Sequence, residues 1–107
     1  VEKKHEITAT NEELSEKLMD SDTLVIDVRE AAEYTFGHIP GAISVPLGDL
    51  EDSMANLPMD KKLYVVCRTG HRSDLAAQKL AAKGFKEVVN VLPGMNQWNG
   101  AIEGLNQ

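Results

Sequence analysis

Apolar positions recur along the chain in two rhythms. β-rich runs occupy residues 7–9, 23–28, 42–45, 63–66 and 87–91, and helical patterns fill the intervals at about 11–18, 30–36, 49–57, 73–83 and 93–98. Runs that are apolar without alternation read as strands buried on both faces, the condition of a parallel sheet. Thr10 followed by Glu13 matches a capping box, and Leu14 with Leu18 gives the helix behind it one apolar stripe. Gly37 ends the second helical stretch, Pro46 stops the third strand and Pro58 bounds the third helix. At the end of the fourth, Gly84 stands where a left-handed residue closes a helix, with Phe85 placed to fold back on Leu80. Pro93 takes a tolerated first-turn position in the short last helix. Strands alternating with helices predict an α/β fold with a central, mostly parallel, five-stranded sheet and helices on both faces.

In such sheets ligands bind beyond the carboxyl ends of the strands. The fourth strand delivers Cys67 to that edge, and the loop Arg68, Thr69, Gly70, His71, Arg72 follows before the helical pattern starts at Ser73. A thiol under a helix N-terminus meets free backbone N–H groups and the positive end of the dipole, and both favour its thiolate. Gly70 permits positive φ, so that consecutive amides curl into an anion-binding nest. An isolated buried cysteine is most often an inert small hydrophobe. A loop that only joins strand to helix has no need of two cations beside a thiol, so Cys67 reads as a reactive thiolate.

The remaining composition narrows the setting. The 107 residues, 42% apolar and 26% charged, fit one globular domain, 1–107, with its core at about 7–102. A single cysteine excludes an internal disulfide and a multi-cysteine zinc site, and His5, His38 and His71 lack metal-ligand spacing, so neither metal nor cofactor is expected. A reducing, cytoplasmic setting fits that cysteine usage. No run of 18 apolar residues and no signal-like stretch after Val1 are visible, and the chain does not open on Met, which fits excision from a longer chain. Net charge is −6, which argues against nucleic acid; the acidic stretches read as solvated helix faces. Against this background Arg68, His71 and Arg72 form an electropositive island that would draw a small anion.

Two stretches together resemble the rhodanese family of sulfurtransferases. Asp27-Val28-Arg29, Glu33-Tyr34 and Gly37-His38-Ile39-Pro40-Gly41-Ala42 resemble its N-terminal signature, and Cys67 through Ser73 resembles its active-site loop. The tail from Gly84-Phe85 to Trp98 also fits, so the resemblance covers about residues 7–102. At Leu92-Pro93-Gly94-Met95 this chain has Pro-Gly where the family often has a Gly pair, which changes a pocket wall and leaves the cysteine loop untouched. The resemblance implies a rhodanese fold and transfer of a sulfane sulfur through a persulfide on Cys67. It also implies the roles: Cys67 as nucleophile, the backbone N–H groups of Arg68, Thr69, Gly70, His71, Arg72 and Ser73 as persulfide cradle, and Arg68 and Arg72 on the anionic end of the donor. Arg72 pairing with a carboxylate to brace the loop stands equally open, and His71 reads as a surface residue of the loop. Asp27, Arg29, Glu33 and His38 read as a bracing network, since the reaction needs no second proton relay. Met95 and Trp98 read as core or pocket wall.

The expected partners are a small anionic sulfur donor, such as thiosulfate or a persulfide, and a thiol, cyanide or protein acceptor. A fused or separate partner domain would supply the last. Two rival classes share the cysteine. Tyrosine phosphatases and arsenate reductases place their arginine one residue further from the cysteine than the four-residue gap between Cys67 and Arg72. They also need an acid for the leaving group, and none is evident in the sequence. A persulfide sensor or protein-binding module of the same fold would keep the loop without turnover.

Overall fold

The computed structural model describes residues 4–105; residues 1–3 and 106–107, and with them the ends of the domain expected over 1–107, lie outside the described residues. β1 (Thr8–Thr10), β2 (Thr23–Asp27), β3 (Ile43–Ser44), β4 (Lys62–Val66) and β5 (Val88–Leu92) form one sheet in the order β1-β5-β4-β2-β3. Every pairing between these strands is parallel. Alternate residues of β4 serve two cores. Leu63, Val65 and Cys67 face a cluster with Leu50, Ala76, Ala77 and Leu80, while Tyr64 and Val66 face one with Leu14, Ile39 and Val91. These clusters are closed by α3 (Leu50–Ser53) and α4 (His71–Ala82) on one side, and by α1 (Asn11–Lys17) with α2 (Ala31–Phe36) on the other. The five-stranded α/β sheet covered on both faces is therefore as the periodicity predicts.

Local signals at the helix ends also hold. Thr10 Oγ1 accepts the Glu13 N–H at 3.0 Å while Glu13 Oε1 accepts the Thr10 N–H at 3.1 Å, which completes the capping box. Gly84 has φ +107°, its N–H donates to Ala81, and the Phe85 N–H donates to Leu80 at 3.2 Å, so α4 ends as a Schellman motif.

Beyond shifts of a single residue at the other ends, four elements differ from the sequence pattern. α4 starts at His71 rather than Ser73, because Gly70 at φ +95° completes the turn alone and the loop shrinks to three residues, Arg68 to Gly70. β3 is two residues long, since Pro46 has no N–H with which to extend its ladder. The helix expected over 49–57 is one α turn flanked by 3-10 turns at Leu47–Asp49 and Met54–Asn56. Pro46 and Pro58 confine that segment, and the tighter turns keep Leu50, Met54 and Leu57 all in the core. The closing helix contracts to Met95–Gln97, because Gly94, at φ +105°, caps it in place of Pro93, and Trp98 is already extended.

Topology then places the site. From β2 the chain runs outward to β3, and from β4 outward in the opposite direction to β5, so the crevice between the carboxyl ends of β2 and β4 is a switch point. Cys67 is the first residue past β4, at this crevice. Among the described residues no helix is long and apolar enough to cross a membrane.

Candidate active site

Cys67 is buried, 1% exposed, with its sulfur turned under the start of α4. The Gly70 N–H donates to Sγ at 3.1 Å, and Sγ lies 3.4 Å from Ser73 Oγ. Burial opposes ionisation of the thiol most strongly. The Ser73 hydroxyl and the amides of Ser73, Gly70 and Thr69 act against it and together hold Cys67 below the usual thiol range. The α4 N-terminus has no side-chain cap, and its first intrahelical bond is Asp74 N–H to Gly70 carbonyl, so the His71, Arg72 and Ser73 amides have no partner within the helix. Of the six amides expected around a persulfide, those of Thr69, Gly70 and Ser73 meet the bare sulfur.

The loop is held by its carbonyls, which leaves its amides free. Met95 N–H donates to the Cys67 carbonyl at 2.8 Å and Asn96 N–H to that of Arg68 at 2.9 Å. Gly94 lies so close that a Cβ there would stand 2.5 Å from the Cys67 carbonyl oxygen. Asn11, at the start of α1 and 4% exposed, grips Gly94 from behind: its Oδ1 accepts the Gly94 N–H at 3.1 Å and its Nδ2 donates to the Gly94 carbonyl at 2.9 Å. On the other side of the loop, buried Asn90 receives the Ser73 hydroxyl on Oδ1 and donates through Nδ2 to the Gly70 carbonyl at 3.3 Å. Asn11 and Asn90 are absent from the residues that sequence reading singles out, and Gly94 enters there only as part of a pocket wall, apart from the cysteine loop that it in fact supports. Asn90 alone left a signal, as a polar residue inside the apolar run 88–91, where burial demands a partner.

The charges divide into a buried pair and a half-buried one. Arg29 Nη2 lies 2.8 Å from Asp27 Oδ2 and donates to the Gly37 carbonyl at 2.7 Å, tying the end of β2 to the residue after α2. His38 stacks on Tyr34 with ring centroids 3.7 Å apart, and the Tyr34 hydroxyl donates to the Ala42 carbonyl at 2.6 Å. Arg72 forms a two-pronged ion pair with Glu33, at 2.8 and 3.2 Å, joining the first turn of α4 to α2 across the crevice. Of the two openings for Arg72, the carboxylate brace is the contact present. The side chains of Arg68 and His71 are exposed.

Hydrogen bonds from Arg72 are the largest influence on Glu33, and they lower its pKa to about 2 against partial desolvation. A folded-state value below the unfolded one contributes stability that is present above about pH 4.5 and lost as the pH falls toward 2. With both side chains about a third exposed, solvent screening limits the pair to about 1 kcal/mol. Glu33→Gln is therefore expected to lower stability by about 1 kcal/mol at pH 7 and by nothing measurable near pH 2, as read from urea unfolding at both pH values.

A thiol sunk in a ring of amides at the mouth of a parallel α/β sheet is an arrangement that favours a sulfur anion. The chain belongs to the rhodanese family: the model of the rhodanese-like domain matches residues 10–101. The Bacillus subtilis protein YrkF is 42% identical over 84 residues, 78% of this chain and 45% of YrkF, so the chain spans less than half of that relative. The thiosulfate sulfurtransferase GlpE of Pseudomonas savastanoi is 33% identical over 86 residues, covering 80% of this chain and 81% of GlpE. Among solved structures, a rhodanese-like domain protein from Staphylococcus aureus superposes with a TM-score of 0.85 at 32% identity, covering 92% of this chain and 98% of that one.

Proposed function

We propose that this chain is a sulfurtransferase that carries a sulfane sulfur as a persulfide on Cys67, with thiosulfate or a small persulfide as donor. The observation that supports it most is the Cys67 sulfur enclosed by amides at the N-terminus of α4, an arrangement that favours a sulfur anion. The thiolate attacks the outer sulfur of thiosulfate and forms an S–S bond, and sulfite leaves with the electron pair of the bond that breaks. Charge is conserved: three negative charges enter, and the persulfide anion and sulfite carry three away. An acceptor such as cyanide or a thiolate then takes the outer sulfur and returns Cys67 as thiolate. Neither half needs a proton, because thiolate and sulfite are stable anions.

The first-turn amides of His71 and Arg72, which have no partner within the helix, serve the outer sulfur together with the amides that already meet Sγ. Arg68 and the part of Arg72 not taken by Glu33 supply positive charge for the anionic end of the donor. The acceptor is a thiol, cyanide or a protein, and a fused or separate partner domain fills that role in the protein case. The carboxylates at the crevice, Asp27 and Glu33, are tied up by Arg29 and Arg72, which weighs against phosphate ester hydrolysis, where an alkoxide must be protonated.

Thiocyanate production from thiosulfate and cyanide tests this reading against hydrolysis of an aryl phosphate. Turnover of the first and not the second is expected; the reverse would replace the sulfurtransferase with a phosphatase. Binding of a protein partner without turnover of either, and equally well after Cys67→Ser, would make it a binding module. Within the same assay, Arg72→Ala is expected to reduce transfer by about tenfold, since it removes both a charge and a loop brace. His71→Ala should reduce it by less than about threefold, the exposed imidazole having only a surface charge to lose.

A further inference from the structure

Asn90 is 3% exposed on the otherwise apolar β5, and the transfer chemistry above does not use it. Its amide orientation is set by the loop. Nδ2 donates to the Gly70 carbonyl, which has no proton to offer in return, so Oδ1 faces Ser73 and takes its hydroxyl proton. Ser73 is fully buried and has only that one proton. Toward Cys67 it therefore presents a lone pair, and the thiol S–H donates to it.

A thiolate requires the opposite arrangement. Without its proton, which passes to a solvent base, Sγ is an acceptor only, so the Ser73 hydroxyl must swing from Asn90 to the sulfur and leave Oδ1 without a donor. We propose that Asn90 is a positioning residue that competes with Cys67 for the Ser73 proton, favouring the thiol over the empty thiolate. One consequence rests on the sulfurtransferase reading. Once sulfur is loaded, the negative charge sits on the outer sulfur and Sγ becomes a neutral bridging atom, so the Ser73 proton returns to Asn90. Asn90 thereby favours the loaded persulfide over the empty thiolate.

The charged groups on the elements around Cys67 are few. α4 carries His71, Asp74, the Arg72 that pairs with Glu33 of α2, and the exposed Lys79 that pairs with Glu51 of α3, which also carries Asp52; the loop carries Arg68; the Asp27–Arg29 pair lies at the end of β2. β5 and the turn Met95–Gln97 carry none. Asn90→Val leaves all of these in place, and the Gly70 carbonyl keeps the Asp74 N–H at 3.1 Å.

The test is the pH dependence of Cys67 alkylation by iodoacetamide, with no sulfur donor present, in the wild type, Asn90→Val, Ser73→Ala and the double variant. Asn90→Val is expected to move the midpoint down by about one unit, about tenfold more thiolate well below it. Ser73→Ala is expected to move it up, and adding Asn90→Val to Ser73→Ala should move it no further. An unchanged or raised midpoint in Asn90→Val, or the same shift with and without Ser73, overturns the proposal. A second measurement needs no change at position 90. The chain has one cysteine, so its single S–H stretching band reports on Cys67 alone. At low pH that band is expected at lower frequency in the wild type than in Ser73→Ala, and coincident bands overturn the proposal. Both readouts use the bare thiol, so a failure of sulfur loading would leave them interpretable and would count against the sulfurtransferase reading alone.

Discussion

Replacing Cys67 by serine is expected to reduce sulfane-sulfur transfer by at least about a thousandfold, the scale on which loss of a covalent nucleophile acts. The substitution changes one atom. A serine hydroxyl fits the same space and accepts the same Gly70 N–H, so the fold should keep its melting temperature within a few degrees. What disappears is the anion: an alcohol does not ionise near neutral pH even among amides, and its oxygen is a poor nucleophile toward sulfur. No neighbouring thiol can take over, because the chain contains no other cysteine. Steady-state thiocyanate formation, with the melting curve as control, measures both halves of this expectation. Residual transfer within tenfold of the wild type would mean that sulfur passes through the site without a bond to Cys67.

Gly94→Ala has the largest expected effect on the fold, a loss of about 3 kcal/mol. Two strains add. The residue sits at φ +105°, where an L side chain is unfavourable by about 1 kcal/mol or more. Its Cβ would stand 2.5 Å from the Cys67 carbonyl oxygen and 3.1 Å from that of Arg68. Both obstacles are backbone and cannot swing aside, unlike the Leu92 methyl that would meet a Cβ on Gly70. Relief requires the Met95–Gln97 turn to move off the loop, which breaks the Met95 and Asn96 hydrogen bonds to the Cys67 and Arg68 carbonyls. For a domain of this size the melting temperature should fall by roughly 10–20 °C. Transfer by the remaining folded protein should also drop, because the amides around Cys67 keep their aim only while the carbonyls behind them are held. A fall in stability without any loss of transfer would show that the 94–96 segment supports the fold but not the site.

The sheet was legible because its strands are buried on both faces, and an uninterrupted apolar run such as 63–66 has few other structures open to it. The cysteine was legible for a related reason: a strand end followed by Gly70 and a helix leaves its thiol nowhere to lie but under free amides. Boundaries were less so. Gly70 turns the chain within a single residue, which no local pattern distinguishes from the longer loop, and it moves His71 and Arg72 from loop to helix. Pairing was harder again. Arg72 faces Glu33, 39 residues away, and only the tertiary fold, which sets α2 beside the first turn of α4, brings them together. Asn11 meets Gly94 from the far end of the chain. Contacts of this kind are properties of the strand order, in which β1 lies beside β5, rather than of any window of sequence.

The most direct measurement of the account is the intact mass of the reduced protein after incubation with thiosulfate and, separately, with glutathione persulfide. The wild type is expected to gain one sulfur atom with at least one donor and to lose it on addition of cyanide, while Cys67→Ser gains none. If neither donor adds a cyanide-removable sulfur, or if Cys67→Ser gains it equally, Cys67 is not the carrier.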